Sequence, residues 1–382
     1  MSEHQYLEFL AIDEPLTTKD MQRLRAISTR AQITPVNFIN EYSWGGLKAD
    51  PRDFMQRYFD AHVFLANWGD AILMLRLPRD AIDQKTLKAF CNNPHLEFEA
   101  LPKHWLLTWS LEESEDYDRF SDIEGAGWMA RLAPLREELI RGDLRGLYIG
   151  WLKAIDYEDM DPEALEPLAL PGLGQLTPAQ RSLAEFLEID IDLLAGLGLG
   201  EKATPLEAVD DRDTDAWLDK LPKTEVRGYL RQMLNGQGTK AERELNRRYA
   251  AWQMQFAPTQ GVRRSVEGLW QLADQAKEQR LAAEAEAQQH EKARLKRQRN
   301  ALLAKLASDF PLAWKLASEN ADKGHAHAYD AACQQLVDLR DAYHKHTSAA
   351  SFRKDLQKFM NKHAQRRALA QRLVNAGLLQ SE

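Results

Sequence analysis

The chain reads as α+β: an N-terminal domain with a ferredoxin-like or related mixed sheet, a mainly α-helical middle, a long charged helix and a small C-terminal helical bundle. Period-two apolar alternation recurs as far as Leu111, helical spacing replaces it from Trp128, and the run from Val262 to Ala307 contains one glycine and no proline. These changes of period set expected boundaries at 1–125, 126–257, 258–307 and 308–382.

Within the first region Gln5–Ile12 is strand-like, and Thr18–Thr29 places Met21, Leu24 and Ile27 at helical spacing. Ile33–Trp44 alternates again, and Pro51 opens a short helix to Phe59. Ala61–Ala66 and Ala71–Leu77 flank Asn67-Trp68-Gly69-Asp70, a hairpin pattern. Asp83 is placed to cap a helix bearing Leu87 and Phe90. Leu96/Phe98/Ala100 and Trp105/Leu107/Trp109/Leu111 then alternate as two further strands joined at Leu101–His104. That order predicts an antiparallel or mixed sheet with helices on one face.

After the acidic stretch Glu112–Asp118, Trp128, Leu132, Leu135 and Leu139 form one apolar stripe. Leu144, Leu147, Tyr148, Trp151, Leu152 and Ile155 form another beyond Arg141-Gly142-Asp143. Asp156–Thr177 is rich in proline and acid and reads as a solvated linker, after which Thr177-Pro178 and Asp190 start two short helices. A polar gap at Gly198–Asp213 precedes helical patterns around Trp217 and Tyr229.

The long run is almost pure helix former, on the order of 65 Å if continuous. Stepping 4,3 from Val262 gives an apolar seam as far as Ala276, but the later positions include Arg280, His290 and Arg294. A coiled coil sustained as a parallel dimer is therefore disfavoured, and an exposed or locally docked helix is expected. Beyond it, Phe310–Ala317, Ala328–His344, Ser351–His363 and Leu369–Leu379 are short amphipathic helices, with Tyr329, Cys333, Leu336, Val337 and Leu339 as a core stripe.

Ten Trp, ten Tyr and thirteen Phe in 382 residues indicate folded domains, not a disordered chain. Cys91 and Cys333, far apart in sequence, offer no disulfide framework and suit a reducing cytoplasm. The N-terminus lacks the pattern of a secretory signal, and no window approaches the ~18 apolar residues of a membrane span, so a cytoplasmic protein without a membrane partner is expected. The net charge of −8 conceals an asymmetry, because residues 290–382 hold 17 Lys and Arg against 9 Asp and Glu. Such a basic end suits an acidic protein or a nucleic acid.

Several chemical signatures fail on inspection. His325-Ala326-His327 and His344-Lys345-His346 are weak metal candidates, since i,i+2 residues of a helix do not face each other and no Cys or carboxylate completes a set. Asp211, Asp213 and Asp215 have calcium-loop spacing, but Ala216 stands where the loop needs glycine and Pro222 where it needs the bidentate carboxylate. Gly196-Leu197-Gly198-Leu199-Gly200 is followed by Glu201, Lys202 and Ala203, so it is not a phosphate loop and is expected to end a helix as cap and hinge. No hydrolase, kinase or zinc-protease signature occurs, and no cofactor is implied. Glu41, Tyr42, Trp44, Asp60, His62, Trp68, His104 and Asp116 are candidates for an N-terminal pocket, although strand aromatics ordinarily build the core.

The basic face is the strongest candidate. Lys292, Arg294, Lys296, Arg297 and Arg299 fall within eight residues. Arg353, Lys354, Lys358, Lys362, Arg366 and Arg367 continue it, with Lys354, Lys358 and Lys362 on one helical side. Aromatics for base stacking are sparse, since Phe352 and Phe359 are expected to be buried. The expected function is an interaction or scaffold protein that binds a protein partner through this arm. A nucleic-acid-associated accessory factor is the second class, and an enzyme with an N-terminal site the third.

Overall fold

Two adjacent strands, Ala61–Ala66 (β4) and Ala71–Pro78 (β5), bury side chains of both parities, as expected where both faces of a sheet are covered. The computed structural model describes residues 4–91, 93–112, 114, 127–157, 160–199, 211–238 and 262–379, and scattered positions over 241–252. Around those strands lie Gln5–Leu10 (β1), Gln32–Ile33 (β2), Asn37–Tyr42 (β3), Leu96–Ala100 (β6) and His104–Leu111 (β7). They form one antiparallel sheet in the order β2-β3-β1-β4-β5-β7-β6. The hairpin about Gly69 joins β4 to β5, and the Leu101–His104 turn joins β6 to β7.

Helices Thr18–Ile27 (α1) and Pro51–Arg57 (α2) pack on one face, where Leu24, Phe54 and Met55 meet Leu7, Phe9 and Phe38. Thr17 and Asp20 form a capping box for α1, and Asp50 caps α2 ahead of Pro51. The opposite face carries Gln84–Phe90 (α3), Trp128–Leu132 (α4), Pro134–Ile140 (α5), Arg145–Tyr157 (α6), Pro178–Phe186 (α7) and Ile191–Leu197 (α8). Helices thus lie on both faces, which corrects the expectation of one. The reason is the composition of β4 and β5, where Val63 and Leu73 point to one core while Phe64 and Met74 point to the other.

Trp128, Leu135, Tyr148 and Phe186 share one core with Leu73 and Trp109 of the sheet. A Cβ at Gly150 would sit 2.8 Å from the Trp109 ring, so only glycine lets α6 approach β7 this closely. Trp109 Nε1 donates to the Gly146 carbonyl on the same helix.

Chain contacts divide the protein into two compact units, Met1–Gln279 and Arg280–Glu382. The division falls inside the helix Val266–Ser308, named α11 here, after Asp211–Leu218 (α9) and Lys223–Leu234 (α10). Val266, Leu269 and Ala273 at its start belong to the core of the first unit, whereas residues 281–298 are exposed throughout. Gly196 explains part of that docking. Its Cβ position lies 2.8 Å from the Leu272–Ala273 backbone, so this glycine serves helix packing, while the cap of α8 is Gly198. The stretch read as a solvated linker contributes as well. Glu166 is 1% exposed, and its carboxylate accepts from Tyr148 Oη at 2.5 Å and pairs with Arg264 at 3.0 Å.

In the second unit Phe310–Asp322 (α12), Ala326–His346 (α13), Ala349–Lys362 (α14) and Arg367–Asn375 (α15) enclose a core of Ala317, Leu336, Leu339, Phe352, Leu356 and Leu369. Leu336 and Leu339 of the expected stripe are fully buried, with Tyr329 and Cys333 packed at the margin. No helix among the described residues is long and apolar enough to cross a membrane.

Two outcomes follow from this packing. A fragment of residues 1–279 keeps Arg264, Val266 and Leu269, whereas one ending at Pro258 loses them and leaves Glu166 buried without its guanidinium. The shorter fragment should be at least about 5 kcal/mol less stable in urea unfolding, from three lost apolar anchors, of which Val266 and Leu269 are the large ones, and a broken buried pair. Equal midpoints would refute that accounting.

The second concerns His62, which is 1% exposed, stacks on Phe9 with centroids 3.8 Å apart, and donates from Nδ1 to the Glu8 carbonyl. Burial lowers its pKa from 6.5 to about 4, so the unfolded chain takes up a proton first as the solution is acidified. Stability from this group is intact above pH 6.5 and declines towards pH 4, by about 3 kcal/mol in total. A His62→Phe protein should lose correspondingly less stability over that window in thermal melts.

Candidate functional site

The second unit places the predicted basic residues in two environments. On α11, Arg294 is held by Glu291 at 2.7 Å, and Arg299 reaches Asp338 at 2.5 Å and Asp341 at 2.6 Å on α13. Lys292, Lys296 and Arg297 have no carboxylate within ion-pair distance among the described residues. On α14 and beyond, Lys358 pairs with Asp355 at 2.9 Å, while Lys362 and Arg366 both reach Asp322, at 3.4 and 3.2 Å. Arg353, Lys354 and Arg367 are exposed without a described ion pair. The basic face is therefore partly neutralised from within, with acidic side chains interspersed among the cations.

Lys358 and Lys362 border a cleft of about 380 Å³ between α12 and α14. Its floor is aromatic. Tyr343 and Phe359 are buried, Phe310 and Trp314 half-buried, and the rings interlock, with Phe310 and Tyr343 centroids 3.9 Å apart. Trp314 stacks near Phe352 at 5.8 Å and donates from Nε1 to Tyr343 Oη at 3.2 Å. Tyr343 in turn donates to Asp355 at 2.9 Å, and burial together with that carboxylate raises its pKa. Lys315 stands on the opposite rim, on α12. Lys362 also donates to Ser318 Oγ, whose other neighbour is the buried His363 ring.

The i,i+4 stripe 354/358/362 was legible in the sequence, but the cleft beside it was not. Phe359 is buried as expected, yet its ring forms part of the floor. Trp314, Lys315 and Tyr343 sit on other helices, and only the packing of α12 and α13 against α14 brings them to it. The available signal was the pair Phe310 and Trp314, two aromatics four residues apart on the short helix.

Other candidates are separated. His325 caps α13, its Nδ1 accepting from Ala328 N, and His344 and His346 lie in the last turn of the same 21-residue helix. His327 and His344 are thus about 25 Å apart along it and share no ion. Among the described residues no cluster of three potential metal ligands occurs.

In the first unit His62 belongs to the core. Asp60, 1% exposed, pairs with Arg76 at 2.7 Å and lies 3.7 Å from Arg136, which also holds Asp13 at 2.7 Å. Burial pushes the Asp60 carboxyl up, but Arg136, Arg76 and the Ile12 and Asp13 amides hold it below the usual carboxylate value. That arrangement pins α5 to the end of the sheet. His104 lies nearby and is lowered chiefly by burial, then by Arg76. Trp44 and Trp68 stand at the surface, 71% and 36% exposed. Asp116, Glu201 to Ala203 and the side chains of Asp211 and Asp213 lie outside the described residues.

Because Arg299 serves an internal network, Arg299→Ala should act on stability and not on ligand affinity. The side chain is 37% exposed, so the expected loss is about 1 kcal/mol, read as a small fall in the melting temperature of the second unit. Partner binding reduced more than tenfold with no thermal shift would place Arg299 in the interface instead. Comparison with protein-family models, with curated proteins and with solved structures finds no match to this chain.

Proposed function

We propose that this chain is a non-catalytic interaction protein of the cytoplasm, in which the second unit, a small basic helical bundle, binds a protein partner. The observation that carries the reading is the aromatic cleft of α12 and α14 with lysines on both rims. An apolar centre ringed by polar groups of both signs has the anatomy of a protein-docking patch. A phosphate track favours a surface of positive charge alone, whereas Asp322 and Asp355 stand among these lysines. Nucleic acid is accordingly the second reading.

The first unit is read as scaffold. The order β2-β3-β1-β4, with α1 and α2 on one face, supports a ferredoxin-like unit extended by β5–β7. Burial of His62 and the double guanidinium clamp on Asp60 favour a structural over a catalytic role for both.

Capture from the native host, with and without nuclease, tests the proposal against a triple variant, Lys354→Glu, Lys358→Glu and Lys362→Glu. A stoichiometric protein retained after nuclease and lost with the variant is the expected outcome. Bound material that nuclease removes, with affinity collapsing between about 50 and 200 mM salt, would transfer the function to nucleic acid.

A further inference from the structure

On that reading of the second unit, the cleft also indicates what its occupant looks like. We propose that it receives one aromatic side chain from an acidic segment of the partner, the ring entering against Trp314 and Phe359 and flanking carboxylates meeting Lys315, Lys358 and Lys362.

The size of the space comes first. About 380 Å³ lies at the small end of the ~300–1,000 Å³ usual for ligand pockets, and the cleft is open along one side. It suits one inserted side chain on a passing chain better than an enclosed cofactor. The chemistry of the floor comes second. Trp314 and Phe359 are tilted by 48° with centroids 5.8 Å apart, so a third ring entering between α12 and α14 finds edges and faces at the angles that aromatic pairs favour.

Charge sets the flanking residues. Lys315 has no carboxylate within ion-pair distance among the described residues. Lys358 and Lys362 are 68% and 62% exposed, and exposed pairs such as theirs with Asp355 and Asp322 contribute ~0–1 kcal/mol. They can therefore be drawn to incoming carboxylates at little cost. Lys315 stands on α12 and Lys358 on α14, while Lys362 reaches from α14 across to Ser318 and Asp322 of α12, so acidic residues are wanted on both sides of the anchor.

The test uses the full chain and fluorescein-labelled twelve-residue peptides of alternating Glu and Ser, with either Trp or Ala at the sixth position, read by anisotropy at low salt. The Trp peptide should bind, the Ala peptide at least tenfold more weakly, and Lys315→Glu should weaken the Trp peptide at least fivefold. Lys315 is exposed, so that variant should keep the native circular dichroism and melting temperature. Equal affinity for both peptides, or no binding of the Trp peptide at millimolar concentration, overturns the aromatic anchor. If the lysine triple variant still abolishes partner capture in either case, the docking reading stands without it. Displacement of the Trp peptide by an equimolar single-stranded oligonucleotide would overturn both.

Discussion

A sheet whose central strands are apolar on both sides must be covered on both sides, and most of the first unit follows from that requirement. β4 and β5 cannot turn either face to water without exposing several large side chains, each worth roughly 1.5–3 kcal/mol when buried. α1 and α2 cover one face near β1, and α3 to α8 cover the other from β4 to β6. The first turns of α11 complete the second layer through Val266, Leu269 and Ala273. This explains why a helix so polar along its length has an ordered beginning. Its intrinsic propensity makes it helical, but three apolar residues and the Arg264–Glu166 pair anchor it.

Buried charge recurs at the joints of this unit and follows one logic. Arg136 ties α5 to Asp13 and Asp60 at one end of the sheet, and Arg264 ties the approach to α11 to Glu166 and Tyr148. Asp60 and Glu166 each accept from several donors, so their buried oxygens are not left without partners. Such pairs add little net stability over an apolar substitute, but removing one partner strands a charge. They fix which segments meet, and so act as registration points where the apolar contacts alone are interchangeable.

The secondary structure was largely legible because its signals are local. Asp83, Thr177 and Asp190 cap the helices they were expected to cap, and the hairpin about Gly69 forms between the two apolar runs that flank it. Legibility ended where meaning depends on a distant partner. Glu166 looked like one more acid in a proline-rich linker, since nothing nearby indicates that Tyr148 and Arg264 enclose it. Gly196 looked like a helix terminator because the backbone it admits, Leu272–Ala273, lies far along the chain. For the basic face, composition disclosed the cations but not the carboxylates facing them, and Asp322, Asp338 and Asp341 change its character from a uniform field to a patterned one.

That pattern bears on what the docking face proposed for the second unit would select. A uniform basic surface attracts any polyanion, with affinity set by the number of phosphates it neutralises and lost steeply in salt. Here Arg294, Arg299, Lys358, Lys362 and Arg366 already face carboxylates, leaving Lys292, Lys296 and Arg297 on α11 and Arg353, Lys354 and Arg367 further on without a described ion pair. Long-range attraction is correspondingly weak at a Debye length of about 8 Å, and discrimination passes to short-range fit. The aromatic floor beside Lys358 and Lys362 is where short-range fit is available, because ring packing rewards shape and is indifferent to salt. Affinity drawn mainly from that floor, with the lysines orienting the guest, would persist at salt concentrations that dissolve a purely electrostatic complex.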